Sequence, residues 1–161
     1  MNRIMKCLCS KPNPIVEPTN DTSTYTVRNR TLLQKHLICD DSEFNRLVLK
    51  RFITFMGFEV DEASSAHGAL DMIVKNGIYQ VIWMDYRLSN SEDSPTGADL
   101  IRKLRTEYGY KGPIAVVTGY SDEITKSTCL KSGATCFLEK PVDVSEINRI
   151  CKEYGSSVVI Y

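Results

Sequence analysis

The chain has 161 residues, with 20 basic and 20 acidic side chains, so its formal net charge is zero and bulk electrostatics predicts no direct nucleic-acid partner. Hydrophobic residues make up 42% and charged residues 25%, proportions typical of a globular domain long enough to bury a core. No apolar run approaches the length of a membrane span, and the N-terminus lacks the apolar centre of a signal peptide.

Composition divides the chain into three parts. Residues 1–31 contain three prolines and no helical or strand period, which predicts a flexible leader. We expect residues 32–155 to form one folded domain and residues 156–161 to form a short apolar tail. The six cysteines have no paired zinc-type spacing. We therefore expect them to be reduced thiols in a cytoplasmic protein.

The folded part alternates short apolar runs with helical patterns five times. Strands are predicted at 33–40, 58–60, 80–84, 114–117 and 135–138. Helices are predicted to begin near Ser42, Ser65, Thr96, Ser121 and Asp143. This alternation predicts an α/β fold with a five-stranded parallel sheet and helices on both faces.

The helical spacing also predicts which side chains are buried. The residues expected to face the core are Phe44, Leu47, Val48, Phe52 and Phe55 in the first helix, Leu70, Ile73 and Val74 in the second, Leu100, Ile101 and Leu104 in the third, and Ile147, Ile150 and Cys151 in the fifth. Trp83 is expected in the core, whereas His36 and His67 are expected at the surface.

Polar signatures follow four of the apolar runs: Asp40-Asp41, Asp85, Thr118 and Lys140-Pro141. Open α/β sheets bind ligands at the carboxyl ends of their strands, and with strand order 2-1-3-4-5 the three aspartates converge there. Two carboxylates about 4 Å apart repel by roughly 4 kcal/mol at an effective dielectric near 20. A cation such as Mg²⁺ would relieve this repulsion, and a nucleophilic carboxylate with a lysine and a hydroxyl suits phosphoryl transfer.

Each signature has an ordinary structural explanation when it is taken alone. Asp40-Asp41 could favour a helix N-terminus, Asp85 could be a loop carboxylate, and Thr118 and Lys140-Pro141 could be turn residues. Their joint occurrence, in order and at strand ends, favours a functional site.

With these motifs the sequence resembles the receiver domain of two-component response regulators. The matching segments are LICDDSEFNR at 37–46, VIWMDYRL at 81–88, IAVVTGY at 114–120 and CFLEKPV at 136–142. The resemblance covers about residues 33–154 and implies a flavodoxin-like sheet of order 2-1-3-4-5.

The resemblance also implies residue roles. Asp85 would accept the phosphoryl group, and Thr118 and Lys140 would contact it. Asp40, Asp41, Asp85 and the backbone carbonyl of Arg87 would hold Mg²⁺. Thr118 and Phe137 would act as the switch pair, although Phe137 could equally be a core residue. Lys140-Pro141 would form a cis-proline turn.

The implied function is a stand-alone receiver in a phosphorelay or two-component system. A histidine kinase or histidine phosphotransfer protein would donate the phosphoryl group, and a downstream protein would recognise the switched surface. Self-catalysed phosphotransfer and autodephosphorylation are implied, rather than metabolic turnover.

The sequence differs from the usual family pattern in two places. Leu88-Ser89 replaces the usual Met-Pro, and Gly97 lies twelve residues after Asp85, so the loop 89–95 is enlarged and acidic. Partner docking or phosphoryl lifetime is therefore expected to differ from the family norm.

Two other functions remain open from the sequence. A phosphohydrolase of the haloacid dehalogenase kind needs a second aspartate two residues after the nucleophile, and position 87 is Arg. A degenerate receiver would act as a binding module without phosphorylation, although here every catalytic position is filled.

Overall fold

A computed structural model of the chain describes residues 35–89, 91 and 93–155. The predicted leader at 1–31 and tail at 156–161 lie outside these residues, as do two positions of the loop 89–95. In the part of the chain so described, no helix is both long enough and apolar enough to cross a membrane.

Five strands and five helices alternate along the chain. In order they are β1 (Lys35–Cys39), α1 (Glu43–Phe55), β2 (Glu59–Ala63), α2 (Ala66–Asn76), β3 (Val81–Met84), α3 (Gly97–Thr106), β4 (Ile114–Thr118), α4 (Glu123–Lys131), β5 (Cys136–Glu139) and α5 (Val144–Gly155). The strands form one parallel sheet of order β2-β1-β3-β4-β5, which confirms the predicted topology.

Apolar side chains fill both faces of this sheet. On one face, α2, α3 and α4 cover side chains such as Leu37, Ile82 and Val116. On the other, α1 and α5 cover Ile38, Trp83 and Val117. Adjacent residues of one strand therefore contribute to opposite cores, as the two-residue period of a strand requires. Trp83 is fully buried, as predicted.

The predicted buried face of α1 is wrong. Phe44 is 72% exposed and Phe55 92% exposed, and Leu47 and Val48 are also exposed. Instead Ile53 is fully buried, and Phe52 is only partly buried. Because two apolar stripes run along this helix, its period alone cannot decide which one faces the sheet.

The rotation of α1 follows from its polar contacts. Ser42 caps the helix by accepting a hydrogen bond from the Asn45 backbone amide. Arg46 donates to the carbonyl oxygens of Asp40 and Asp41, and Lys50 pairs with Glu62 on β2. These contacts turn the basic flank of α1 toward β2 and leave its aromatic stripe facing outward.

His36 is fully buried, which overturns its predicted surface position, whereas His67 is exposed as expected. The Nδ1 atom of His36 accepts a hydrogen bond of 2.9 Å from the indole N–H of Trp83. Burial lowers the pKa of His36 to about 4, so the ring is neutral at neutral pH. A neutral imidazole with one satisfied nitrogen is compatible with a core position.

Smaller differences concern helix faces and starts. In α2, Ile73 is buried as predicted, but Val74 is 60% exposed and Leu70 only partly buried. The α4 helix is capped by Asp122 rather than beginning at Ser121.

The predicted buried residues of α3 and α5 are confirmed, and Thr96 and Asp99 form a complete capping box for α3.

Burial predicts different effects for one chemical change in two helices. Ile53→Ala, at a fully buried position, should lower the free energy of unfolding by about 2–5 kcal/mol, because it removes apolar contacts and leaves a cavity. Ile124→Ala, at a position 80% exposed, should change it by less than about 0.5 kcal/mol. Urea denaturation measures both values, and equal losses would contradict the described orientation of α1.

Candidate functional site

Four strand ends bring the sequence-predicted residues to one edge of the sheet. Asp40 directly follows β1, Asp85 follows β3, Thr118 ends β4 and Lys140 follows β5. Cys39 and Met84 are register partners, and the Asp85 amide donates to the Cys39 carbonyl at 2.8 Å. The backbone of neighbouring strands therefore fixes the two aspartates side by side.

Lys140 bridges these two aspartates across the sheet. Its Nζ atom lies 2.5 Å from Oδ2 of Asp40 and 2.6 Å from Oδ2 of Asp85. Both carboxylates are largely buried, and the lysine side chain is 22% exposed. A single ammonium thus offsets part of the repulsion between two largely buried carboxylates.

A second network orients Asp40. Its Oδ1 atom accepts hydrogen bonds from the Ser42 amide at 2.9 Å and from the Asn45 side chain at 3.3 Å. Arg46 holds the carbonyl of the same residue at 2.9 Å. Asn45 and Arg46 were not singled out from the sequence, although they lie in the first turn after the acidic pair, where side chains can reach back to it.

The three aspartates satisfy the requirements of a small divalent cation. One carboxylate oxygen from each of Asp40, Asp41 and Asp85 lies within 4.8 Å of the others. Hard carboxylate oxygens in a partly open cluster are the donor set that Mg²⁺ takes, with waters completing its shell. The residues present therefore fit this ion.

Burial and charge act in opposite directions on the site's titrating groups. Burial raises the pKa of Asp85 above its ordinary value, since desolvation and repulsion from Asp40 outweigh the attraction of Lys140. Burial alone would lower the pKa of Lys140, but its hydrogen bonds to both aspartates prevail and the pKa is raised. The lysine is therefore firmly cationic at neutral pH.

The remaining predicted residues surround this centre. Thr118 is fully buried, and its hydroxyl accepts a hydrogen bond from the Tyr120 amide at 3.3 Å. Phe137 is partly buried and packs against the core on the α2, α3 and α4 side. The Lys140–Pro141 peptide bond is cis.

Arg87 directs its side chain away from the carboxylates. Its guanidinium lies 5.5 Å from the centre of the Tyr120 ring, while its backbone amide approaches Oδ1 of Asp85 at 3.4 Å. Only the backbone of Arg87 is thus beside the acidic cluster, so position 87 supplies no second acid to the site.

An apolar cavity of about 380 Å³ opens beside the charged groups. Asp40, Asp85 and Lys140 lie at one end of it, and Phe44, Val48 and Val142 line the rest. The carboxylate of Asp85 is consequently reached along a groove between α1 and the start of α5.

Gly97 supports Asp85 from behind, a role that sequence reasoning missed. A Cβ atom at position 97 would lie 2.1 Å from the carbonyl oxygen of Asp85. The Gly97 amide also donates to the Tyr86 carbonyl at 2.7 Å. The first residue of α3 therefore packs directly on the strand end that carries Asp85, and only glycine leaves enough room.

Comparison with known proteins gives a consistent result. The family model described as "Response regulator receiver domain" matches residues 37–152. The osmosensing histidine protein kinase SLN1 of Saccharomyces cerevisiae is 28% identical over 125 residues, 74% of this chain but 10% of that protein. The two-component response regulator ORR5 of Oryza sativa subsp. japonica is 28% identical over 116 residues, 71% of this chain and 84% of the relative.

A solved structure of a two-component response regulator from Clostridium difficile has 25% sequence identity and a TM-score of 0.70. The alignment covers 79% of this chain and 99% of that one. The chain therefore matches short regulators over most of their length, whereas it spans only a tenth or less of the first kinase relatives.

Close packing behind Asp85 predicts that Gly97→Ala is destabilising. Although alanine favours helices, the added methyl group would overlap the Asp85 backbone, so the free energy of unfolding should fall by about 1–3 kcal/mol. Gly119→Ala is the matched control, since no atom lies within 4 Å of the position of its Cβ. Urea denaturation compares the two variants; a neutral Gly97→Ala would contradict the described contact.

The raised pKa of Asp85 predicts how stability varies with pH. An acid whose folded pKa is raised contributes stability below its ordinary pKa of 3.8, and this contribution is lost as pH rises through the folded pKa. Asp85→Asn, which stays neutral, should therefore be more stable than wild type near neutral pH, and this gain should shrink as pH falls through the raised folded pKa toward 3.8 and be absent below 3.8.

Urea denaturation across this pH range measures the effect, with the exposed Asp71→Asn as the control. A lower stability of Asp85→Asn at neutral pH would mean that pairing with Lys140 outweighs the cost of burial.

Proposed function

Because the chain belongs to the response regulator receiver domain family, we propose that Asp85 accepts a phosphoryl group from a phosphohistidine of a histidine kinase or histidine phosphotransfer protein. The observation that carries the proposal is the position of Asp85. Its carboxylate stands at the end of the central strand, beside Asp40 and 2.6 Å from the Lys140 ammonium, at the mouth of an open groove.

The chemistry follows from these neighbours. A carboxylate oxygen of Asp85 attacks the phosphorus, an O–P bond forms, and the N–P bond to the donor imidazole breaks with its electron pair passing to the ring nitrogen. The product is an acyl phosphate on Asp85. Lys140 can shift from carboxylate to phosphoryl oxygens, and Thr118 can donate its hydroxyl proton to another of those oxygens.

Mg²⁺ is the cofactor proposed for the acidic cluster. Asp40, Asp41 and Asp85 would hold it together with the backbone carbonyl of Arg87, while the Arg87 side chain remains on Tyr120. When bound, the ion supplies charge neutralisation for the carboxylates and the incoming phosphoryl oxygens. The repulsion within the cluster supports this assignment.

Phosphorylation is proposed to act through Thr118 and Phe137. Thr118 ends β4, and Phe137 lies on β5 opposite Val116, so both belong to neighbouring strands near the acceptor. A shift of the Thr118 hydroxyl toward the phosphoryl group would free space that the Phe137 ring could enter. Exposed apolar side chains on α4 and α5, among them Ile124, Leu130 and Val144, would give a downstream protein a surface to recognise.

Domain limits and location complete the proposal. We place the receiver at residues 32–155, and a cytoplasmic location is supported by the four free thiols of the described residues, Cys39, Cys129, Cys136 and Cys151. A direct nucleic-acid partner is not part of the proposal.

Neither alternative gains support from a specific observation. A dehalogenase-type phosphohydrolase needs an acid near position 87, where the arginine side chain packs on Tyr120. A receiver that only binds partners would not need a lysine in contact with both Asp40 and Asp85.

Phosphorylation is tested with acetyl phosphate and Mg²⁺. Wild type should gain the mass of one phosphoryl group by intact mass spectrometry, because Asp85 lies at an open groove and Lys140 offsets part of its charge. Asp85→Asn should gain none, and chelation of Mg²⁺ should greatly slow labelling of wild type.

Asp71→Asn, which changes an exposed carboxylate on α2, is the matched control and should be labelled like wild type. An unlabelled wild type, or an Asp85→Asn variant labelled as fast as wild type, would refute the proposal.

A further inference from the structure

A polar side chain lies inside the apolar core on the α1 and α5 side of the sheet. His36 on β1 is fully buried, and its Nδ1 atom accepts the hydrogen bond from the indole of Trp83. Its ring also packs against Phe58, with 4.8 Å between the ring centroids. A buried polar group costs free energy unless it is hydrogen-bonded, and the phosphorylation chemistry makes no use of this one.

The bond from Trp83 decides which nitrogen of His36 carries the proton. An indole N–H can only donate, so Nδ1 has no proton, and in a neutral imidazole Nε2 must then carry it. Burial lowers the pKa of His36 and so keeps the ring neutral at neutral pH. Among the residues that the structure describes, this Nε2 atom has no hydrogen-bond partner. His36 is therefore a buried donor that needs an acceptor.

Gln80 offers the matching acceptor. It directly precedes β3, is almost completely buried, and its Oε1 atom has no partner within the described part of the chain. Its backbone amide donates to the carbonyl of Lys35, the neighbour of His36, at 2.8 Å. The two side chains do not meet the geometry of a formed bond, yet they are close: burial has the largest effect on the pKa of His36, and hydrogen bonding by Gln80 opposes it.

The other end of the Gln80 side chain reaches α5. Its Nε2 atom donates to the carbonyl oxygen of Tyr154 at 3.4 Å. This carbonyl belongs to the last turn of α5, where helix carbonyls have no partner within the helix. Trp83, at the opposite end of the set, lies on β3 two residues before Asp85. The four groups are thus arranged from the strand that precedes Asp85 to the end of α5.

We propose that His36 and Gln80 complete a buried hydrogen-bond relay from Trp83 to the last turn of α5, and that the relay breaks when His36 takes up a second proton. In the intact relay the Nε2–H of His36 donates to Oε1 of Gln80. The second proton would occupy Nδ1, which could then no longer accept from Trp83, and two donors would face each other in the core. The relay does not depend on phosphorylation of Asp85.

Other ionisable groups lie on the elements that surround this face of the sheet. They are the ion pairs Arg46–Glu62, Lys50–Glu62 and Arg149–Glu153, the contacts of Lys140 with Asp40 and Asp85, and the uncharged side chains of Cys136, Cys151 and Tyr154. Lys35 and Asp61 pair with each other on the opposite face. The shift in the pKa of His36 comes from burial, opposed by Gln80, and not from these charges.

A first test follows the only tryptophan of the chain in the full-length protein. As pH falls from 7 toward 4, the fluorescence of Trp83 should change, because protonation of His36 removes its hydrogen-bond acceptor. His36→Phe, which keeps a ring but cannot titrate, should lack this change. Asp85 also titrates near Trp83, so the measured quantity is the difference between the two proteins. Identical acid responses would overturn the proposal.

A second test measures amide hydrogen exchange of residues 151–154 at neutral pH. His36→Phe and Gln80→Leu should each accelerate exchange about fivefold, as the loss of one hydrogen bond predicts, and the double variant should exchange no faster than either. Asn76→Leu is the matched control, because it removes hydrogen bonds to Asp61 and Tyr79 on the other face and should leave α5 unchanged. Exchange unaffected by Gln80→Leu, or effects that multiply in the double variant, would overturn the relay.

Wild type alone supplies a check that needs no substitution. Nitrogen-15 chemical shifts of the His36 imidazole should show the proton on Nε2 at neutral pH, and that proton should exchange slowly with water because it is bonded in the core. A proton on Nδ1, or rapid exchange of the Nε2 proton, would contradict the proposal.

Discussion

Electrostatic repulsion among the buried aspartates is the constraint around which the functional edge of the sheet is arranged. Two carboxylates, Asp40 and Asp85, are largely removed from water at adjacent strand ends, and a third, Asp41, lies within reach. At close range each pair costs several kcal/mol even at an effective dielectric of about 20. Lys140 offsets part of this cost, and a divalent cation or a transferred phosphoryl group held by that lysine would change the balance. The negative charges of the site are therefore only partly compensated by Lys140.

The backbone keeps those charges from separating. Parallel pairing fixes Asp40 beside Asp85, the Asp85 amide is bonded to the Cys39 carbonyl, and Gly97 closes the space behind Asp85. A flexible loop would let the carboxylates move apart, but residues anchored at strand ends cannot relax in this way. The strand ends that carry these carboxylates also lie next to β4, which pairs with β3 and ends at Thr118.

The sequence predicted the structure best where a local pattern of residues is compatible with only one secondary structure or one buried face. The alternation of strands and helices, the capping box of Thr96 and Asp99 and the buried side of α3 follow from short-range periodicity and capping chemistry. The strand order was implied by the family resemblance, and the structure confirms it. The prediction was wrong for α1, where Phe44 and Phe55 resemble core residues but face outward, and for His36, which the indole of Trp83 holds in the core. In both cases the deciding contacts come from other strands, Glu62 for α1 and Trp83 for His36. Helical period and residue polarity contain no information about such partners.

By itself the sequence determined the order of elements and the types of residue at the strand ends, since apolar runs, caps and turn residues act on their immediate neighbours. It thereby identified Asp85, Asp40, Asp41, Thr118 and Lys140 as candidates. Only the tertiary structure decided that one lysine contacts two aspartates, that Arg87 turns to Tyr120, that Gly97 must lack a side chain, and that α1 exposes an aromatic stripe. These features depend on distances between residues far apart in the chain, which are fixed when the sheet and its helices pack together.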